Sequence, residues 1–460
     1  MSLSEHSNFL RKLAAHIVLK LKLAGHVAFF AGGCVRDQLL GNSPHDYDIA
    51  TDAHPSQVQA LFEKTLPIGA QFGVILVVEQ GHPFQVATFR TEGSYVDHRH
   101  PREISFGTPK QDALRRDFTV NGLFEDPFQR NILDYVGGQE DLEKRTIRCI
   151  GNAAERFDED HLRILRAIRL ASTLDFQIHA NTWQALTISI PTLCAVSAER
   201  IREELNKILL SARRVQGFDL LDKSGALRLL LPEIEALKGC EQPPEFHPEG
   251  DVFVHTRLML TLLHPQASLT LVLATLLHDI GKPGTSRKDH NGRIRFNNHE
   301  QLSTEMAYHI MKRLRYSNMV IEITNALVRN HMAFKDVQSM RHSTLKRFLT
   351  RHTFNDELEL HRVDCLSSHG ILSNYDFLIE KRAEFSHTSL APTALINGTD
   401  LITLLHWKPG PQFRRALEAT YNAQLEGLLS SREEAFAFIR KKFPNPDFQP
   451  QKMAPRKGKL

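Results

Sequence analysis

The stretch His26-Val27-Ala28-Phe29-Phe30-Ala31-Gly32-Gly33-Cys34-Val35-Arg36-Asp37, followed by Asp46-Tyr47-Asp48, decides the fold of the first part of the chain. The apolar run His26 to Ala31 reads as a strand, and Gly32-Gly33 turns it into a helix. A second strand is expected at Tyr47–Ile49. Asp46 and Asp48 are spaced i, i+2, so on a strand both carboxylates point to one face. Two hard carboxylates on one face suit Mg²⁺. Bare N–H groups at the glycine turn suit a triphosphate, and Arg36 adds a charge-assisted clamp. Two metals held there would align an attacking 3′-hydroxyl and stabilise a departing pyrophosphate. A plain turn with a helix-capping aspartate fits the same residues, so this motif does not stand alone.

Working outward, residues 1–25 read as an amphipathic helix. Gly73–Val78 and Phe84–Phe89 read as strands parted by the turn Gly81-His82-Pro83. The first 150 residues therefore form a mixed α/β unit, and after Cys149 the pattern is helical. Pro- and Gly-rich breaks at Glu241–Gly250 and Trp407–Pro411 divide the remainder. The expected units are 1–150, 151–245, 246–370 and 371–460. The chain has 460 residues, 42% hydrophobic and 24% charged, which excludes disordered and fibrous classes. Mean hydropathy is −0.29 and no apolar run approaches the ~20 residues of a membrane span. Five cysteines without a CxxC, and no signal-peptide pattern, point to a reduced, cytoplasmic protein. Residues 1–245 carry a net charge of −4 and residues 246–460 carry +8, a basic excess that suits a polyanion or a solvated surface.

Further motifs follow in order: Leu114-Arg115-Arg116-Asp117-Phe118-Thr119-Val120-Asn121; Asp134-Tyr135-Val136-Gly137-Gly138; Arg156-Phe157-Asp158-Glu159-Asp160-His161-Leu162-Arg163; and Glu199-Arg200-Ile201-Arg202-Glu203. With the first motif they resemble, over about residues 25–210, the class II tRNA nucleotidyltransferases (CCA-adding enzymes) and the bacterial poly(A) polymerases. The resemblance implies an α+β protein. A nucleotidyltransferase (polymerase-beta-like) mixed-sheet head would precede an all-helical neck, body and tail. It implies that Gly33 and Arg36 hold the triphosphate and that Asp46 and Asp48 are catalytic ligands of Mg²⁺. Arg115, Arg116, Asp117 and Asn121 would read the ribose. Glu159, Asp160 and Arg163 would select the incoming base, and Arg166 and Arg169 would continue that face toward phosphates. Asp accepts from an exocyclic amine and Arg donates to a ring nitrogen or carbonyl, and a helical i, i+3 spacing would align Asp160 with Arg163. An ion-pair ladder with Glu155, Asp158 and Glu159 is the other reading of these arginines. Two positions depart from the family's pattern: Gln85, where an acid is common, and Gly122 after Asn121. The stretch Arg90–Phe106 resembles the family's flexible loop, whose presence favours addition of the terminal A.

Half of the 24 histidines lie in 246–370. His255, His278-Asp279 and Asp364, with His299 and His331 between, resemble the HD metal-dependent phosphohydrolases around the core HDIGKP. Carried over, His255, His278, Asp279 and Asp364 would bind a divalent transition metal, Mg²⁺ or Mn²⁺. His299 and His331 would serve a second metal or a phosphate. Such domains also act as plain RNA-binding bodies, and both readings stay open. Residues 371–460 resemble the tail of HD-bearing family members, with a helix capped by Asp400 and a basic end from Arg440 to Lys459. The implied activity is addition of 3′-terminal CCA to tRNA from CTP and ATP, with no membrane or DNA partner. Poly(A) synthesis, A addition alone, and a phosphohydrolase with an RNA-recruiting head are the alternatives.

Overall fold

A computed structural model describes residues 3–93, 104–386 and 392–443. Helix α1 (Leu3–Leu23) lies against the sheet through Leu10, Leu13, Ala14, Ile17, Val18 and Leu21, the apolar stripe its spacing predicts. Strand β1 (Ala28–Ala31) follows, then α2 (Gly33–Leu39), β2 (Asp48–Thr51), α3 (Pro55–Leu61), β3 (Thr65–Gly69), β4 (Val74–Glu79) and β5 (His82–Thr88). A hairpin of β6 (Arg90–Glu92) and β7 (Ile104–Phe106) stands apart from the main sheet. Helix α4 (Pro109–Leu114), β8 (Leu123–Glu125), β9 (Ile132–Asp134) and α5 (Gly138–Glu143) complete the head.

The seven-stranded sheet runs β3-β4-β5-β2-β1-β8-β9, and only the β2–β5 pair is parallel. Strands β1 and β2 are central, which brings the glycine turn after Ala31 beside Asp48, its register partner. Gly32 has φ +74°, and a Cβ there would lie 2.9 Å from Arg116 Nη1. With ψ at −124°, this is a backbone region that only glycine enters freely.

Beyond Cys149 the chain is helical, with two short two-stranded sheets at 146–147/177–178 and 286–288/294–296. One apolar core runs from Leu10 to Val363, through head, neck and the histidine-rich body. A second core joins Phe334–Phe385, and a third unites the last helices from Ile396 to Ile439. In that last unit the cap of the helix Gly398–Leu405 is Asn397, not Asp400. Asp400 is the reciprocal member of the capping box, and its carboxylate also takes Arg432 at 2.6 Å. Of the basic end, Arg440, Lys441 and Lys442 finish the helix Arg432–Lys442, and residues 444–460 lie outside the described residues. So does 94–103, most of the loop read at Arg90–Phe106. No described helix is long and apolar enough to cross a membrane.

Candidate functional site

A cavity of about 830 Å³ opens where the ends of β1 and β2 meet the neck. Gly33, Arg36, Asp46, Asp48, Arg115, Arg116, Asp117, Asn121, Asp160, Arg163, Arg166 and Arg169 all line it. Glu159 does not; it pairs with Arg163 and, at 3.0 Å, with Arg156. Eight arginines face four aspartates in the cavity, so its field favours a polyanion.

Asp46 precedes the strand, which begins only at Asp48, so the strand alternation does not aim both side chains. Both nevertheless reach the one cavity. Asp48 sits in a recess open to water. Crowding by protein atoms, and then repulsion from Asp46, push its carboxyl up to about 6. A second carboxylate this close to Asp48 leaves a site that invites a cation. Gln85 stands next to Asp48 in the parallel register of β2 and β5, but it is not in the cavity wall.

The ribose-motif residues form a hydrogen-bonded seam. Arg36 Nη1 donates to Asn121 Oδ1 (2.6 Å), Asn121 Nδ2 to Asp117 Oδ1 (3.2 Å), and Arg166 Nε to Asp117 Oδ2 (2.8 Å). Arg115 and Arg116 both pair with Asp112, a carboxylate 1% exposed. Asp117 is 7% exposed; burial alone would raise it, yet Arg166, Asn121 and Arg163 bring its carboxyl down to about 2. A depressed carboxyl stabilises the fold above its unfolded value of 3.8 and loses that contribution as pH falls toward 2. Asp117→Asn is therefore expected to cost about 2 kcal/mol at pH 7. In urea titrations the gap to the parent should narrow below pH 4. A gap that stays constant with pH would sink the assignment.

The helix expected to carry both Asp160 and Arg163 is broken. Helix α6 (Ala153–Glu159) ends with Asp160 in an extended conformation, and α7 (Arg163–Leu174) begins three residues later. The i, i+3 helical face thus gives way to a corner. Asp160 Oδ1 accepts from the Leu162 N–H (3.1 Å) across that corner, which is why the chain breaks there. Arg200 then grips both oxygens of Asp160 at 3.0 and 2.9 Å. Arg166 and Arg169 pair with Asp117 and Glu204, not with the acids of α6. Two cavity arginines escaped the sequence reading as site residues. Arg90 and Arg200 lie outside the arginine row of α7. Arg200 belongs to the motif Glu199–Glu203, which the sequence marks without assigning Arg200 a place in the cavity, and Arg90 opens β6 with no local signal of it.

The histidine set of the body also converges. His255 comes from the helix Val252–Leu262, His278 and Asp279 from the end of Leu269–Leu277, and His299 from the start of His299–Arg313. His331 ends Asn318–Asn330, and Asp364 lies on Phe354–Ser367. All but Asp364 are at most 5% exposed. Asp279 Oδ1 is 3.3 Å from His299 Nε2, its Oδ2 is 3.1 Å from His278 Nε2, and Asp364 Oδ1 is 3.2 Å from His255 Nε2. Gly281, two residues after Asp279, packs so closely on the start of the helix His299–Arg313 that a Cβ there would meet the His299 carbonyl at 2.6 Å. His255 Nε2, His278 Nε2 and both oxygens of Asp279 are buried without an aligned hydrogen bond. His299 Nε2 and His331 Nε2 face each other at 3.1 Å, although each ring already points Nδ1 at a backbone carbonyl. Such orphaned lone pairs fit a cation, and imidazole with carboxylate is a donor set for a divalent metal.

Three family models match the chain. A family model for the poly A polymerase head domain matches residues 28–148. One described as a probable RNA and SrmB-binding site of polymerase A matches 175–238, and the HD domain matches 252–363. The chain is 43% identical over 214 residues to a CCA-adding enzyme of Streptococcus mutans, spanning 46% of this chain and 53% of that one. That match therefore spans about half the length of the curated relative. A CCA-adding enzyme of Streptococcus thermophilus is 33% identical over 430 residues, 93% of this chain and 96% of the relative. Among solved structures, the Bacillus stearothermophilus CCA-adding enzyme in complex with CTP superposes with a TM-score of 0.73. It is 26% identical and covers 94% of this chain and 96% of its own.

Proposed function

Because the chain belongs to the family of CCA-adding enzymes, we propose that it builds or repairs the 3′-CCA end of tRNA from CTP and ATP. The carrying observation is a single cavity shared by Asp46, Asp48, Asp160, Arg163 and a majority of arginines. Divalent cations suit Asp46 and Asp48, and Mg²⁺ is the ion their hard oxygens favour. When bound, such ions polarise the reacting phosphate and lower the pKa of the attacking hydroxyl. The chain supplies the remainder. Arg36 and the glycine turn hold the triphosphate, and Asn121, fixed by Arg36 and Asp117, presents its amide to the ribose. Asp160 accepts from the exocyclic amine that C and A share and that U and G lack at that position, while Arg163 donates to the neighbouring ring position. Arg200 orients the Asp160 carboxylate for this task. The reaction belongs in the cytoplasm.

The test offers labelled CTP and ATP, and UTP and GTP as controls, to tRNAs ending before the first C, at CC and at CCA. C and then A incorporation, stopping at CCA, is the expected result. A-tailing of generic RNA without C incorporation would instead make the chain a poly(A) polymerase. Activity confined to tRNA ending in CC would make it an A-adding enzyme. Asp160→Ala should lower CTP incorporation about 100-fold and relax discrimination against UTP; unchanged selectivity would refute the base-reading role.

A second reading applies to the body. The buried Nε2 atoms of His255 and His278 and the oxygens of Asp279, which contact one another, Asp364 and Lys282 without an aligned hydrogen bond, favour a metal-dependent phosphohydrolase centre. Four histidines and two aspartates suit a divalent transition metal or Mn²⁺ more than Mg²⁺. His299 and His331 suit a second ion or the phosphate. The metal, when bound, supplies an activated water; the residues hold it and anchor the ester.

A further inference from the structure

The four histidines of the HD centre all commit Nδ1 away from it. His278, His299 and His331 place theirs on the backbone carbonyls of Thr275, Phe296 and Val328 at 3.0, 2.8 and 2.6 Å. His255 differs. Its Nδ1 lies 2.8 Å from Glu249 Oε1 and 3.3 Å from Ser367 Oγ. Glu249 comes from none of the helices that carry the other ligands. It belongs to the Pro-rich connection Glu241–Gly250 between neck and body. Its side chain is only 6% exposed. The same Oε1 also takes His247 Nδ1 at 2.9 Å, while Oε2 is buried with no hydrogen-bond partner. A half-satisfied buried carboxylate is costly, so packing alone is a poor reason for it. A second side chain of the connection enters the same centre: Gln242 Oε1 accepts from Lys282 Nζ at 2.7 Å, and that ammonium contacts Asp279 Oδ2 at 2.6 Å.

We propose that Glu249 is a positioning residue of the HD centre, which holds the proton of His255 on Nδ1 and so presents Nε2 to a bound divalent cation. The role rests on the metal-binding reading of that centre. A neutral imidazole carries one N–H, and whichever nitrogen donates leaves the lone pair on the other. A carboxylate acceptor fixes the ring more firmly than a carbonyl and makes the opposite nitrogen a stronger ligand. The connection between neck and body is thereby part of the metal site and not merely a spacer.

The test uses the full chain carrying Asp46→Asn and Asp48→Asn, so that only the HD centre is counted, stripped of metal and titrated with Mn²⁺ by electron paramagnetic resonance. Glu249→Ala is expected to weaken Mn²⁺ about 10- to 100-fold, the usual cost of an outer partner. Glu249→Gln, which keeps an acceptor but not the charge, should fall between the two. Co²⁺ loading should show a shifted visible spectrum in Glu249→Ala, which a loss of packing would not produce. Glu249→Ala in the unaltered head should still incorporate CTP, which verifies folding. Equal Mn²⁺ affinity in parent and both variants overturns the positioning role alone. Loss of a whole equivalent of Mn²⁺ in His247→Ala would mark a separate His247–Glu249–His255 ion site and overturn it too. A parent that binds no Mn²⁺ overturns the metal reading and this role with it.

Discussion

Replacing Asp46 and Asp48 together by asparagine is expected to reduce nucleotide incorporation at least about a thousand-fold, roughly 4 kcal/mol of lost stabilisation. Both side chains face the cavity that the arginines of α7 also line. Asparagine keeps the shape and removes the charge, so hard cations lose their anchor. The same change should not weaken the metal-free fold. Crowding and Asp46 already raise the Asp48 carboxyl to about 6, so its ionisation costs more in the folded chain than in the unfolded one. With a folded pKa above the unfolded 3.8, stability falls as pH rises through that window, and the amide escapes this penalty. The double variant should therefore unfold in urea no earlier than the parent at pH 7 while incorporation collapses. Robust incorporation of CTP by this variant would refute the assignment; a lower urea midpoint would show that the residues act mainly in folding.

Asp279→Asn should have the second large effect, confined to the body. Asp279 is 2% exposed and contacts His278, His299 and Lys282. Burial raises its carboxyl, but the neighbouring imidazoles and the ammonium hold it well below the ordinary range. Its loss should lower metal affinity by more than about 100-fold, beyond what an outer partner costs. It should also destabilise the protein by about 3–5 kcal/mol, because Lys282 stays buried with only Gln242 as a polar partner on that side. Asp364→Asn is the milder companion, since that side chain is 25% exposed. Metal content by mass spectrometry and urea unfolding report the two effects. Unaltered metal content in both variants would remove the HD centre as a metal site. CTP incorporation should persist in Asp364→Asn, whose position lies outside the head cavity.

Legibility varied with the physics. The strand–glycine–helix entry was readable because Gly32 occupies a backbone region that only glycine enters freely and stands against Arg116. The short strands β8 and β9 were not: three residues each, they carry no alternation long enough to detect. The corner at Asp160 was misread as helix because i, i+3 spacing is the same in a helix and across a capped break. The histidines of the body converged as the family pattern implied, since each sits at a helix end or on a buried helix face. Glu249 was invisible within Glu241–Gly250, where proline and glycine mask any periodicity. Its partner lies six residues on, and only the folded path brings them together.

The seam Arg36–Asn121–Asp117–Arg166, continued by Arg169–Glu204, has a mechanical meaning. It rivets the head to α7 across their boundary, and Arg169 ties α7 in turn to the later neck helix Ala198–Leu209. A hinge at that boundary would have to strip Arg166 from a buried carboxylate before it could open. Any rocking of head against neck must therefore pivot further along the chain. The cavity wall supplied by the head and the wall supplied by α7 move as one lever.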